Sequence, residues 1–294
     1  MAASFALTMR RETVVIRAIK ENAVALSAAE SGVFIAQQME MQKDDSKRWK
    51  VDGRVYSVQH NNAEIRIQLL SEKGKIDVNK ADEVLLTSLI ASTQVTMEKK
   101  QMLVSAIMDW RDSDDLVRMN GAEKLQYEDE GLAYHPANRD FESIDELQMV
   151  LGFNSAIFQK IKPLITVYSK QAKVDESVAA KEVLQVIGVI EPVEMEEEVS
   201  STQQKNSNDV FFNENNTDKE AGRNTPVYTI NSQARVFSDV LGAVQVTIKK
   251  LSNKKGRASF KVLDWQQNYQ NFSLFSDEVD QQLAAIKDEP EYEY

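Results

Sequence analysis

Apolar positions fall into three regimes along the chain. Over residues 1–42, Val15, Ile19, Leu26, Val33 and Met41 recur with Ala-rich filling, and no Pro interrupts. That spacing predicts one long helix whose apolar stripe needs a partner surface. From Trp49 the period changes. Arg54–Gln59 and Glu64–Leu69 alternate polar and apolar residues, as half-buried strands do, with a hairpin turn at 60–63. The middle of the chain returns to helical spacing. Asn79 is placed to N-cap a helix that buries Val84, Leu85, Leu89 and Ile90. A second helix over about 97–110 buries Met102, Leu103, Ala106 and Ile107. Ser143, with Glu146 three residues on, has capping-box spacing. Leu164–Tyr168 reads as a strand. Alternation returns over Thr225–Ile230, Gln233–Ser238, Ala243–Leu251 and Arg257–Trp265, with a Lys-Lys-Gly turn at 254–256. Strands thus flank a helical middle, and the late ones are expected to complete the early sheet in an α+β fold.

Charge changes this picture at one place. The net charge is −11 with pI near 4.9, and residues 109–147 hold twelve Asp/Glu against four Lys/Arg. Trp110, Tyr127, Tyr134, Pro136 and Phe141 stud this acidic stretch, so it reads as a loop held inside a folded domain. Ca²⁺ favours carboxylate and carbonyl oxygens in such loops. Asp112, Asp114 and Glu123 stand at relative positions 1, 3 and 12 of an EF-hand, but Val117 occupies the position that requires Gly. An irregular Ca²⁺ loop and a solvated acidic surface both remain open. The candidate ligands are Asp112, Asp114, Asp115, Glu123 and Asn138, with Asp109 read as a helix cap or pairing residue.

Other chemistry is thinly supported. There are no cysteines, and the two histidines, His60 and His135, lie far apart, against a Cys or His-rich zinc site. No nucleophile elbow, phosphate loop or dinucleotide fingerprint occurs, so no enzyme is expected. The Gly152 and Gly188 turns resemble helix-hairpin-helix hairpins. Residues 74–188 are net acidic, however, which opposes phosphate binding and nucleic-acid partners.

One ordered series is more specific: GKIDVN-x-A at 74–81 with its Val-Leu helix, DWRDSDD at 109–115, GAE at 121–123, Tyr134 with PAN at 136–138, FESIDEL at 141–147, LITVY at 164–168, and a degraded second entry, KVDESVAAKEVL, at 173–184. Together these residues resemble the K-type minor pseudopilin family of bacterial type II secretion systems. The resemblance implies a pilin-like long N-terminal helix packed on an antiparallel sheet, with a large mainly α-helical inserted domain. The chain then divides into helix (1–48), first part of the sheet (49–73), inserted domain (74–190, acidic loop 109–142), acidic flexible linker (191–224), remaining strands (225–276) and disordered tail (277–294), the linker and the tail being read from composition and the linker an elaboration on the family pattern. It further implies a non-enzymatic subunit at the tip of a periplasmic pseudopilus, with bound Ca²⁺ and with I- and J-type minor pseudopilins as partners. The stripe Val15, Ile19, Leu26 and Val33 would then meet those partners. The family is anchored in the inner membrane, but MAASFALTM at 1–9 is too short to span a bilayer. The alternatives are a helix-hairpin-helix DNA-binding module and a soluble calcium-stabilised interaction protein.

Overall fold

The alternating segments pair into one antiparallel sheet, and the helical middle is inserted into it. The computed structural model describes residues 2–44, 46–60, 62–189, 226–236, 239–252, 258–268 and 273–287, with side chains from residue 9. Strands β1 (Val55–His60), β2 (Ala63–Ser71), β5 (Val227–Val236), β6 (Leu241–Ser252) and β7 (Ala258–Gln267) follow each other in space in that order, all antiparallel. The described residues between β2 and β5 form the insertion. Its described elements are α2 (Glu83–Ala91), α3 (Met97–Arg111), α4 (Lys124–Asp129), α5 (Ser155–Ile161), α6 (Lys181–Val186) and a two-residue parallel pair, β3 (Ile76–Asp77) with β4 (Ile165–Thr166). The linker assigned to 191–224 and the 254–256 turn lie outside the described residues.

Helix α1 (Ala2–Glu40) covers the inner sheet face. Its buried line is Ala25, Ala29, Val33 and Ala36, against Ile65, Ile67, Ile230, Val244 and Val246. Small residues let the helix backbone approach the strands closely, at the helical i, i+4 spacing. This corrects the expected stripe. Val15 and Ile19 stay 56% and 63% exposed, and no residue from 9 through 20 is buried. Val33 is fully buried and so closed to a partner, while Leu26 is half-buried against the same core. The reason is reach: the sheet meets only the C-terminal half of α1.

The insertion has its own core, built from Ile76, Leu86, Leu89, Ile90, Leu103, Ile107, Trp110, Tyr127 and Phe158 among others. Asp82, not Asn79, caps α2, its Oδ1 accepting the Leu85 N–H at 2.8 Å. Starting three residues later turns Leu86 inward and leaves Val84 exposed. Met102 is likewise exposed on α3, while Leu103, Ala106 and Ile107 are buried. The two strands expected over 225–238 are one continuous β5, because Asn231, Ser232 and Gln233 keep the ladder with β2 and β6 unbroken.

The tail departs from disorder. Asp277–Lys287 forms helix α7 with three acidic residues in its first turn, favourable at the positive helix end. Phe275 lies between Arg66 and Arg235, with ring-centroid distances of 4.2 and 4.5 Å, and Arg66 pairs with Asp280 at 2.6 Å. Leu274 is buried beside them, its N–H donated to Gln233 Oε1 at 2.8 Å. These contacts tether the segment; residues 288–294 lie outside the description.

Candidate metal centre

The acidic loop starts where α3 ends. Asp112 terminates that helix, its N–H donated to Met108 O at 3.1 Å. Trp110 points inward, stacks on Phe141 at 6.0 Å with planes 7° apart, and meets Tyr127 at 6.1 Å with planes tilted by 45°. Tyr134 meets Tyr127 edge-on at 5.8 Å. Four aromatic residues spread along the stretch therefore pin it onto the insertion core. The loop is also tied to the segment after β3. Asn79 exchanges two hydrogen bonds with the Phe141 backbone, at 2.7 and 2.9 Å. The Arg111 guanidinium donates to the carbonyls of Val78 and Ala81. Asp77, buried, accepts the Asn79 and Lys170 N–H groups.

Inside this frame, side-chain oxygens are left without partners. Among the described residues six buried side-chain polar atoms make no hydrogen bond, and four of them are Asp109 Oδ1, Asp112 Oδ1, Glu123 Oε1 and Asn138 Oδ1. A fifth, Trp110 Nε1, belongs to the same region. Orphaned buried acceptors cost free energy, so their concentration in one loop calls for a missing partner. Asp109 is wholly buried; its Oδ2 accepts the N–H of Ala122 at 2.9 Å and of Arg118 at 3.3 Å. Gly121 makes that possible, since a Cβ there would stand 2.0 Å from Asp109 Oδ2. Arg118 ion-pairs with Asp109 at 3.2 Å and Asp112 at 3.1 Å, supplying one positive charge from a 44% exposed side chain.

Of the five expected ligands, Asp112, Glu123 and Asn138 turn an oxygen inward. Asn138 has left-handed backbone (φ 48°), and Asp115 orients it by accepting its Nδ2 at 2.8 Å. Asp114 closes its own turn, accepting the Leu116 N–H at 2.9 Å, and is exposed. Asp109 joins the group instead. The missed signal was its i, i+3 relation to Asp112 at the end of α3, which puts both on one side of the helix.

Electrostatics agree with the geometry. Burial first, then the charges of Asp109, Asp112, Asp115 and Asp114, push the Glu123 carboxyl up to about 7. Burial also raises Asp109, partly offset by its two backbone N–H donors. The carboxylates alone do not close into a cage: no group of three or more acidic or histidine side chains with metal-holding geometry occurs among the described residues. The four inward oxygens argue more directly here, three without a partner and Asp109 Oδ1 held only by the Arg118 ion pair, because one is an amide and hard cations complete their shells with amide and main-chain carbonyls. His60 ends β1, and the His135 ring bonds the Pro136 carbonyl at 3.0 Å, so neither is among the inward-turned groups.

Comparisons with known proteins converge on one family. Residues 63–170 match the family model for type II secretion system (T2SS), protein K. The type II secretion system protein K of Pseudomonas aeruginosa is 28% identical over 143 residues, 45% of this chain and 43% of that protein. That of Dickeya chrysanthemi is 30% identical over 70 residues, 24% of this chain and 19% of that protein. The matches thus span less than half of these relatives. A crystal structure of the GspK-GspI-GspJ complex from the enterotoxigenic Escherichia coli type 2 secretion system aligns with a TM-score of 0.52 at 14% identity, covering 90% of this chain and 100% of that one. At this identity the likeness is one of fold.

Proposed function

Through residues 63–170 the chain is a relative of type II secretion system protein K, and on that premise we propose that it is a non-enzymatic minor pseudopilin. It would stand at the tip of a periplasmic pseudopilus, supporting protein export. The observation that carries this reading is the helical body placed between β2 and β5 of a sheet covered by α1. A bulky insertion leaves little room for a further subunit above, whereas the bare half of α1 invites neighbours below. I- and J-type minor pseudopilins are the proposed partners, since the similar solved structure is a complex of that composition. Among the described residues no helix is long and apolar enough to cross a membrane. Inner-membrane anchoring is therefore proposed from the family alone.

Co-purification with the I- and J-type subunits from the same genome tests this. A stoichiometric ternary complex is expected by light scattering. Val15→Asp with Ile19→Asp should abolish it and leave the melting temperature within about 1 °C, because exposed substitutions rarely alter stability. An intact complex with that variant would remove α1 from the interface; no complex with the unaltered chain would sink the assignment.

The acidic loop is proposed to bind Ca²⁺ through Asp109, Asp112, Glu123 and Asn138, fixing the loop on the insertion. A pH experiment follows. The Glu123 carboxyl titrates near 7 in the fold against an ordinary 4.5. Its proton is held more tightly folded than unfolded, so its contribution is full below about 4.5 and is lost as pH rises through about 7. Dialysed against EDTA, the chain should melt at a lower temperature at pH 8 than at pH 5.5. Saturating Ca²⁺, replacing the proton, should flatten that difference. An equal slope in both buffers would mean that Glu123 is not a ligand.

A further inference from the structure

The outer face of the sheet is polar where the insertion overhangs it. Alternation sends Ile65, Ile67, Ile230, Val244 and Val246 toward α1, and their neighbours the other way. In register across four strands those neighbours are Gln68, Asn231, Gln245 and Gln266. A parallel row sets Thr229 beside Thr247. These rows floor a cleft of about 710 Å³, walled by 142–145 and by 162–168 of the insertion. That volume suits a small ligand. The minor-pseudopilin reading makes no use of it.

The amides are organised in one direction. Gln245 Nε2 donates to Asn231 Oδ1 at 2.8 Å, Asn231 Nδ2 to Gln68 Oε1 at 3.1 Å, and Gln68 Nε2 to Gly53 O at 2.7 Å. At the far end Gln266 Nε2 donates to Asp264 Oδ2 at 2.8 Å. Asn231 is 3% exposed, so the row is built into the floor and held rigid by its own bonds. The partly exposed Gln68, Gln245 and Gln266 each still have a second N–H and further acceptor capacity. We propose that this cleft binds an uncharged oligosaccharide lying across the strands.

Three properties select that ligand. Side-chain amides paired to one another offer donors and acceptors together, as vicinal hydroxyls require. The strands set the amides about 4.8 Å apart, near the length of one β-linked pyranose and unlike the ~3.4 Å rise of an extended peptide. The lining carries five carboxylates against two lysines, which turns away phosphates, nucleotides and acidic glycans. Tyr168, partly exposed on the cleft wall, offers a ring on which a sugar face can rest.

The test is calorimetric and saturation-transfer titration of the full chain with cellotetraose, chitotetraose and maltotetraose. Saturable binding of at least one is expected. Gln245→Ala with Gln266→Ala should weaken it about tenfold, the worth of one or two hydrogen bonds, with a melting temperature a few degrees lower because Asn231 Oδ1 loses its donor. If that pair unfolds the chain, Tyr168→Ala replaces it and should weaken the same sugar. The proposal is overturned by no sugar binding at millimolar concentration. It is equally overturned by binding that ignores both variants, or by an uncharged tetrapeptide that binds where the sugars do not.

Discussion

Calcium added to the chelator-dialysed chain is expected to raise its melting temperature by about 10 °C. A ligand present at a thousand times its dissociation constant adds about 4 kcal/mol to the folded state. For a domain of ~150–250 residues each kcal/mol moves the midpoint by about 2–4 °C. The acceptors for the ion are already in place. Asp112, Glu123 and Asn138 each bury an oxygen without a partner, Asp109 Oδ1 is met only by the Arg118 ion pair, and Arg118 offsets only part of the charge. Magnesium should shift the midpoint far less, because it keeps its waters and demands near-octahedral geometry. Asp109→Ala with Glu123→Ala should eliminate the calcium shift. Asp114→Ala should leave it intact, since that carboxylate accepts from the exposed Leu116 turn. A midpoint indifferent to calcium in the unaltered chain would make the loop a solvated acidic surface. A shift that survives the double variant would move the ion elsewhere.

The pattern of residues showed the sheet well and α1 poorly, for a physical reason. Strand alternation exposes itself through large side chains, as in AVQVTIKKL, where Val244, Val246 and Ile248 all face α1. The buried line of α1 is mostly alanine, which carries no contrast against an alanine-rich helix. The conspicuous Val15 and Ile19 lie in a part of the helix where no residue from 9 through 20 is buried. In the acidic loop the aromatic clamp and three of four inward oxygens were readable from residue type. Asp109 was not, because the end of a helix offers an acidic residue several roles and only the fold brings Gly121 against it. Asn79 shows the converse. Its type suits a cap, yet Asp82 stands three residues closer to the apolar run, which releases Asn79 to hold Phe141. Tertiary contacts decided between two local solutions of similar quality.

That closeness of α1 to the sheet carries the second large effect. Gly242→Val is expected to lower the melting temperature by about 10 °C and to abolish assembly with the partner subunits. A Cβ at 242 would lie 2.3 Å from the carbonyl carbon of Ala25 and 2.4 Å from both its oxygen and the Leu26 nitrogen. These are backbone atoms in the middle of a long helix, so no rotamer change relieves the clash. Overpacked sites typically lose 1–3 kcal/mol, and one that meets main chain is expected at or above ~3. The helix must lift, which uncovers Ala29, Val33 and Ala36 together with Ile65 and Val244. Gly32→Val attacks the same interface from the helix side, where a Cβ would meet Ser232 Oγ at 2.2 Å and Ile65 Cγ2 at 2.8 Å. Those are side-chain atoms, so Ser232→Ala should rescue Gly32→Val in part and Gly242→Val not at all. The insertion keeps a separate core, so its near-ultraviolet signal from Trp110 should persist in Gly242→Val and still respond to calcium. Loss of both signals together would mean that the insertion depends on α1 for its stability.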